Sequence, residues 1–408
     1  MRRGTFSYKL QCRRAADTGF WGNPLHAAVT LGPHFALKGG PMRHLDSVVH
    51  PHTSHHIQIA RTLVPRNLRW KMGAQLVCIT SELIRSKETH NCKGFAALNR
   101  GGLIRTMWVA KKAGCGLKRG QQVHSKAAME EFLKKGNTFR TIQFPRDTAI
   151  KDALKKMARI IEPVHHPIQY GFVAKRNCTQ SAAQHAWART VYLLDIENAF
   201  DQITFHEVRE ILTKVFYVNK KYADFIALLC APEGHLYQGN PMSPALFNIR
   251  ALWMAERLDR LCKANDATVT LYADDITISH KYWEHISSGF QKTVRRIIGE
   301  CGLSVNEAKC KVRRISPNKI GHYDITGLTI DFDPYTQIPL VRPLHRKRTL
   351  RKADYLQYLT NQGIDFSQEL AKDGSYKSLD AVIAGLRNWS KTKGQPPNNE
   401  QLTLILTT

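Results

Sequence analysis

Acidic residues are scarce: 33 Asp and Glu stand against 60 Lys and Arg in 408 residues, leaving a formal net charge of +27 and a pI near 9.9. A domain that binds a small neutral substrate has no use for such an excess. It points instead to a polyphosphate partner, since each Lys or Arg laid on a nucleic-acid backbone releases condensed counterions. No apolar run reaches the roughly 18 residues needed to span a bilayer, and no long basic amphipathic helix marks a membrane surface. The nine cysteines never fall as Cys-x-x-Cys, which excludes a zinc ribbon and suits a reducing compartment without a disulfide frame. Internal repeats and low-complexity tracts are missing too. What is present, 43% hydrophobic residues, is enough to bury a core, and the length suggests two or three domains.

The charge is uneven. Residues 1–120 hold 20 Lys and Arg but only Asp17, Asp46, Glu82 and Glu88 as acids, a surplus of 16. Met1-Arg2-Arg3 lacks the apolar core of a secretory signal, and the Arg-rich opening reads as a basic RNA-binding arm. Residues 1–60 show Gly, Pro and His without a sustained period, so they read as irregular or only partly structured. His44, His50, His52, His55 and His56 have almost no acids or cysteines nearby, and read as solvated or RNA-contacting rather than metal-binding.

Periodicity sharpens from Arg140 onward. Helical spacing of Ile150, Leu154, Met157, Ile160 and Ile161 predicts a helix over Ala149–Pro163, while the run Val191–Ile196 predicts a buried strand. Helices are also expected at Leu76–Ile84, Ser125–Lys135, His206–Phe216, Lys221–Cys230 and Ile286–Glu300, the last stopped by Gly302. Ser243-Pro244 reads as an N-cap and first helical residue opening one helix to about Cys262. Thr268–Ala273 and Ile276–Ser279 predict a hairpin, Asp324–Ile330 another strand. Two C-terminal helices are expected, at His345–Leu359 and Leu379–Trp389.

Chemistry concentrates in three carboxylates: Asp195 at the end of Val-Tyr-Leu-Leu-Asp, and Asp274-Asp275 within Leu-Tyr-Ala-Asp-Asp-Ile-Thr. A carboxylate where a buried strand emerges is costly unless a cation or strong donors compensate it. Converging aspartates are what a hard cation such as Mg²⁺ requires, and two ions about 3.5–4 Å apart would stabilise both oxygens of an in-line phosphoryl displacement. A solvated turn would suit one Asp-Asp pair equally well; the second aspartate on another core strand favours the metal.

These residues carry a resemblance. Tyr272-Ala273-Asp274-Asp275 resembles the catalytic box of reverse transcriptases, and other boxes follow in that family's order. Asp195-Ile196-Glu197-Asn198-Ala199-Phe200-Asp201 is similar to the first palm motif. Gln238-Gly239-Asn240-Pro241-Met242-Ser243-Pro244 is similar to Gln-Gly-x-Pro-x-Ser-Pro, and Gly302 through Lys309 to Gly…Asn-x-x-Lys. Arg140 to Lys151 and Gly171 to Asn177 resemble the two fingers motifs. The match covers about residues 130–345. Ser181-Ala182-Ala183-Gln184-His185 and Ile325-Thr326-Gly327 are similar to two retron boxes, differing from each at the first position, and Asn177 stands where Ser is usual. The resemblance thus extends to retrons or to a divergent antiphage relative.

The resemblance implies an α+β right-hand polymerase: fingers and a palm with an antiparallel sheet over 121–345, a helical thumb over 346–408, and a basic, RNA-binding N-terminal extension over 1–120. It implies an RNA-directed DNA polymerase that copies a dedicated structured non-coding RNA in bacterial antiphage defence, in the cytoplasm. Terminal-transferase-like or protein-primed synthesis, and a non-catalytic RNA-binding scaffold, are the alternatives. Asp195, Asp274 and Asp275, with the carbonyl of Ile196, would hold two Mg²⁺ ions, Mn²⁺ being the alternative metal. Lys309 would protonate the pyrophosphate. Lys175 and Arg176 would clamp the incoming deoxynucleoside triphosphate, Arg140 and Lys151 would reach the same pocket or the template, Phe200 would exclude a 2′-hydroxyl, and Gln238 and Gly239 would lie along the nascent base pair. Arg346, Lys347, Arg348, Arg351 and Lys352 would grip the DNA product or RNA–DNA hybrid. The RNA would serve as template or primer; a second copy or a partner protein would compete for the N-terminal surface, and no membrane is involved.

Overall fold

The structure, a computed structural model, describes residues 53–89, 104–111, 121–314, 323–332, 339–343, 346–362 and 379–391, all within one unit spanning Val49–Thr408. Helices α1 (Thr53–Leu63) and α2 (Arg66–Thr89) come first. They are not a separate basic arm: Ile57, Ala60, Val64, Met72, Leu76 and Leu83 are buried in the main core. Irregular structure was expected to residue 60, and the helices begin at 53 because these apolar residues recur at helical spacing and find a core to cover. His55 stacks on Trp253 at 4.4 Å yet stays exposed to solvent, whereas His56 is fully buried and so is not solvated; His44, His50 and His52 lie outside the described residues. Two arginines of the surplus are structural. Arg61 donates twice to Lys214 O (3.1 and 2.9 Å), and Arg69 donates to Val64 O, Val215 O and the Tyr217 hydroxyl.

Strands β1 (Ile104–Ala110), β2 (Gln122–Val123) and β3 (Phe139–Pro145) form an antiparallel sheet in the order β2-β1-β3. Between β2 and β3, α3 (Lys126–Lys134), capped by Ser125, packs Ala128, Met129 and Phe132 on Ala110 and Val123. The polypeptide then enters α4 (Thr148–Ile161), where Asp147 caps the N–H groups of Ala149 and Ile150 and the expected stripe Ile150, Leu154, Met157 and Ile161 is buried.

Beyond the short helix α5 (Cys178–Ala183), β4 (Thr190–Asp195) runs through the core. There follow α6 (Phe205–Glu210), a π turn at Ile211–Val215, α7 (Lys220–Cys230), α8 (Ser243–Arg250), α9 (Leu252–Lys263), β5 (Thr268–Tyr272), β6 (Asp275–His280), α10 (Ser288–Glu300) and β7 (Lys311–Arg314). The strands make one antiparallel sheet in the order β5-β6-β4-β7. Alternation sends Tyr192, Leu194, Ile276 and Ile278 into the main core and leaves Asp195 and Asp275 on the opposite face with Lys311 and Arg313. All four residues of the edge strand β7 are exposed, and its positive charge discourages further strand pairing.

Three local expectations are corrected. The single helix from Ser243 is two, broken at Ala251 (ψ −1°). Ser243 is not a cap, because its hydroxyl donates to Tyr237 O at 2.9 Å. The strand at Asp324–Ile330 is a hairpin, β8 (Tyr323–Ile325) and β9 (Leu328–Phe332), turning at Thr326-Gly327, both with positive φ, the geometry that matches strand twist in a two-residue turn. β10 (Pro339–Pro343) completes this second sheet, and α11 (Arg346–Asn361) and α12 (Leu379–Lys391) pack on each other at the C-terminal end. Among the described residues no helix is long and apolar enough to cross a membrane.

Candidate functional site

Antiparallel register places Asp195 directly opposite Asp275, and the two-residue turn Ala273-Asp274 closes the β5–β6 hairpin beside them. The Ile196 N–H donates to Asp274 O at 2.9 Å, while Asn306 N–H donates to Asp195 O at 2.8 Å. The Gly302–Lys309 segment is thereby laid along the end of β4, where Val305 bridges to Ile196. Its last turn, Glu307–Lys309, brings Lys309 Nζ to 2.8 Å from both carboxylate oxygens of Asp195. Asp195 is only 7% exposed.

Electrostatics set these carboxylates apart. Burial, reinforced by repulsion from Asp274 and Asp195, pushes Asp275 up to about 6. Burial also raises Asp274, with Asp195 adding to the rise and Lys309 and Arg140 opposing it. Three carboxylates share too little positive charge, which is the condition a hard cation relieves. Among the described residues no three His, Cys, Asp or Glu side chains are already gathered as a closed ligand set, and Asp195 is turned onto Lys309. A divalent ion held by one or two carboxylates and completed by water and substrate phosphates needs no all-protein cage. A cleft of about 600 Å³ opens here, running from Asp195, Asp275 and Lys309 past Lys311, Arg313 and Arg314 to Asp324 and Thr326.

The residues expected to hold a nucleotide divide. Arg140, exposed on β3, is near enough to lower the pKa of Asp274. Lys175 is exposed, in a left-handed conformation (φ 63°). Arg176 corrects its expectation: its Nη1 donates to Pro167 O and to Gln169 O, and its guanidinium lies over the Tyr170 ring at 5.0 Å. Turned back on its own loop, it fastens that loop. Phe200 is half-buried, edge-to-face with Phe247 at 6.0 Å. Lys151 sits in the first turn of α4, half-buried.

The pattern that defines the family "Reverse transcriptase (RNA-dependent DNA polymerase)" matches residues 132–359, more than half of the chain. The chain belongs to the reverse transcriptase family. Members of this family use divalent metal ions. The curated relatives are of the bacterial retron type. The chain is 31% identical to the retron Mx65 reverse transcriptase of Myxococcus xanthus over 182 residues, 40% of this chain and 42% of that one. It is 26% identical to the retron Ec48 reverse transcriptase of Escherichia coli over 159 residues, 39% and 38% of the two. The chain thus spans about two-fifths of the length of these relatives. Among solved structures, apo telomerase from Candida Tropicalis truncated from its C-terminal domain is similar at 11% identity and a TM-score of 0.36, covering 59% of this chain and 64% of that one.

In this reverse transcriptase family member, Gly239 lies against the backbone of β3. Gln143 N–H of β3 donates to Gln238 O at 2.7 Å, and Gly239 (φ 105°) lies so close that a Cβ would sit 2.1 Å from Gln143 O. Gln238 and Gly239 therefore join the first sheet to the start of α8. Gly239→Ala combines a strained φ with a backbone clash, and a loss of about 2–4 kcal/mol is expected in urea unfolding; unchanged stability sinks this reading.

His185 of the retron-like box is buried and neutral, its pKa pushed down to about 3 by burial. Its ring nitrogens meet the Ser279 hydroxyl at 2.7 Å and the Thr270 hydroxyl at 2.8 Å, and the Ser181 hydroxyl donates to Thr270 at 2.9 Å. The small residues Ala182 and Ala183 pack on Val191, Ile325, Leu328, Ile330 and Val341, with Trp389 against them. The box is the joint between the central sheet, the second sheet and α12. At the C-terminal end Lys347, Arg348, Arg351 and Lys352 are exposed on α11, whereas Arg346 donates from Nε to Ser390 O at 3.0 Å and so ties α11 to α12. Sequence reasoning missed Lys311, Arg313 and Arg314 along the cleft. The basic run directly after Lys309 was the signal for them.

Proposed function

We propose that the chain is an RNA-directed DNA polymerase with a right-hand plan, copying a dedicated structured non-coding RNA in the bacterial cytoplasm, in the service of antiphage defence. In this reading the β4–β7 sheet with α6–α10 is the palm, β1–β3 with α3 the fingers, and α11–α12 the thumb. The observation that carries it is the register pairing of Asp195 with Asp275, with Asp274 in the adjoining turn, at one end of a cleft whose floor continues in cations.

Asp195, Asp274 and Asp275 would hold two Mg²⁺, with Mn²⁺ the alternative, and the Ile196 carbonyl would complete the ligand set. Bound there, the metal supplies positive charge to the attacking 3′-hydroxyl oxygen and to the departing pyrophosphate. The chain's own residues do the rest. The 3′-hydroxyl gives up its proton to solvent water in the open cleft, and the bond from its oxygen to the α-phosphorus forms as the bond to pyrophosphate breaks. Lys309, released from Asp195, gives a proton to the leaving oxygen. Phe200, at the rim of the core, restricts the sugar edge. Lys175 and Arg140 attract the triphosphate, and Lys311, Arg313 and Arg314 balance the phosphates of the primer strand. The exposed cations of α11 face the product hybrid, and the surplus before residue 121 suits the RNA.

The test is to purify the full chain with its co-purifying RNA, add Mg²⁺ and the four deoxynucleoside triphosphates, and sequence the product. DNA complementary to the bound RNA is expected. An uncoded or repetitive product identifies a terminal transferase instead, and no synthesis under any condition leaves a binding scaffold.

A further inference from the structure

Behind the Ala273-Asp274 turn stands a layer of buried amides that the catalytic boxes do not include. Residues 168–171 run along the edge of β5 away from β6: Leu271 N–H donates to Ile168 O at 2.8 Å, and Tyr170 N–H to Leu271 O at 2.7 Å. This lays Gly171 against the back of the turn, where a Cβ would sit 2.1 Å from Ala273 N and 2.8 Å from Tyr272 C. Any side chain there must displace the turn or the loop.

Gly171 is held from its far side as well. Its carbonyl accepts from Asn248 Nδ2 at 2.9 Å, the Asn248 carbonyl accepts from Gln169 Nε2 at 2.9 Å, and Gln169 Oε1 accepts from His166 N–H at 2.7 Å. Gln169 is 2% and Asn248 3% exposed. A buried amide left unpaired costs on the order of 1–3 kcal/mol, so both are satisfied only while α8, the 166–171 loop and the turn keep one arrangement. The turn needs such backing, because Ala273 holds a left-handed φ of 57°, which an L residue adopts reluctantly.

We propose that Gln169 and Asn248 are positioning residues for nucleotidyl transfer: acting through Gly171, they set where the Ala273-Asp274 turn sits, and so the separation of Asp274 from Asp195 that the cations require. The inference rests on the polymerase reading above. It also explains why α8, which opens from the Gln238–Pro244 loop, carries a buried Asn in an otherwise apolar stretch.

Partners that orient metal ligands are worth about 10–100-fold in metal affinity or activity when removed. Asn248→Leu and Gly171→Ala, each in the full chain with its RNA, are therefore expected to raise the Mg²⁺ concentration for half-maximal synthesis about tenfold and to lower kcat at least tenfold. The KM for deoxynucleotide at saturating Mg²⁺ and the RNA affinity stay within about twofold. Mn²⁺ binding to the protein, read by electron paramagnetic resonance without any synthesis, weakens by the same factor. Gln169→Met is a second probe should either variant fail to fold, and Met157→Ala, which opens a cavity in α4, serves as the stability control. Activity that falls only in step with melting temperature, as in Met157→Ala, with Mg²⁺ dependence and Mn²⁺ binding unchanged, overturns the proposal. Absence of synthesis by the wild-type chain counts against the polymerase reading instead, and the Mn²⁺ measurement still decides this one.

Discussion

Asp275→Asn is expected to melt at a higher temperature than the wild-type chain in EDTA at pH 8, and yet to make essentially no DNA. Burial and two neighbouring carboxylates raise the Asp275 pKa to about 6 in the folded protein, against about 3.9 for an unperturbed Asp. A raised carboxyl pKa means that the folded state resists ionisation more than the unfolded state does. The penalty is missing below about pH 4, grows as pH rises toward 6, and is fully present above it. Two pKa units correspond to about 3 kcal/mol; with part of the carboxylate facing the cleft and screened, about 1–2 kcal/mol is the expected gain for Asn. The gain should shrink to a small remainder by pH 4, where Asp275 is protonated in the folded state and about half protonated in the unfolded one. Activity is expected to move the other way: under the proposed metal assignment, removing this carboxylate forfeits several kcal/mol of charge stabilisation, at least about a thousandfold in rate. Asp274→Ala and Asp275→Ala together should abolish synthesis and leave RNA binding within about twofold. Thermal melts across pH 4–8 in EDTA, paired with single-nucleotide incorporation assays, check both halves. Retained synthesis would sink the metal assignment, and a melting difference independent of pH would sink the electrostatic one.

How much of this was legible in the sequence depended on how far apart the determining residues lie. The continuous run ending at Asp195, the β-branched hairpin with Asp274-Asp275 at its turn, the stripe of α4 and the Gly302 stop are set by neighbours within one element, and all reappear in the structure. α1 was passed over because its histidines and exposed polar residues blur the period, and it is helical because Ile57, Ala60 and Val64 find a core supplied by residues far along the chain. β1 and β3 were not expected either: their residues are mostly half-buried, and their pairing spans some thirty-five residues, so alternation has no sharp contrast to show. The site divides the same way. The aspartates announced themselves by standing at the ends of apolar runs. Arg176 looked like a phosphate clamp, but its nearest acceptors are carbonyls of its own loop. Gln169 and Asn248 are unremarkable in sequence, since their meaning arises only where α8, the 166–171 loop and the catalytic turn meet.

Arg250→Met is expected to cost about 3–5 kcal/mol, the range for breaking a buried ion pair from one side. Arg250 Nε donates to Glu207 Oε1 at 2.5 Å, both side chains being at most 5% exposed, and Nη2 donates to Cys301 O at 2.9 Å. The other oxygen of Glu207 accepts from the Thr204 N–H (2.8 Å) and hydroxyl (3.1 Å), closing a capping box at the start of α6. Removing the guanidinium leaves the carboxylate anchored to the helix start, unable to swing to solvent, and strips the Cys301 carbonyl of a donor. Arg250 Nη1 finds no acceptor among the described residues, so the pair is incompletely satisfied to begin with. Replacing both partners, Arg250→Met with Glu207→Gln, should therefore recover most of the loss, because Gln keeps an acceptor for Thr204 without the charge. The single variant has a second consequence. Cys301 ends α10 and leads into Gly302–Lys309, the segment whose Asn306 N–H holds Asp195 O. Loosening it is expected to raise hydrogen exchange over 302–309 before the rest of the fold opens, and to weaken the hold of Lys309 on Asp195. Urea unfolding of the two single variants and the double measures the coupling, and exchange mass spectrometry reads the segment. A double variant no more stable than Arg250→Met would mean that the arginine acts through Cys301 alone.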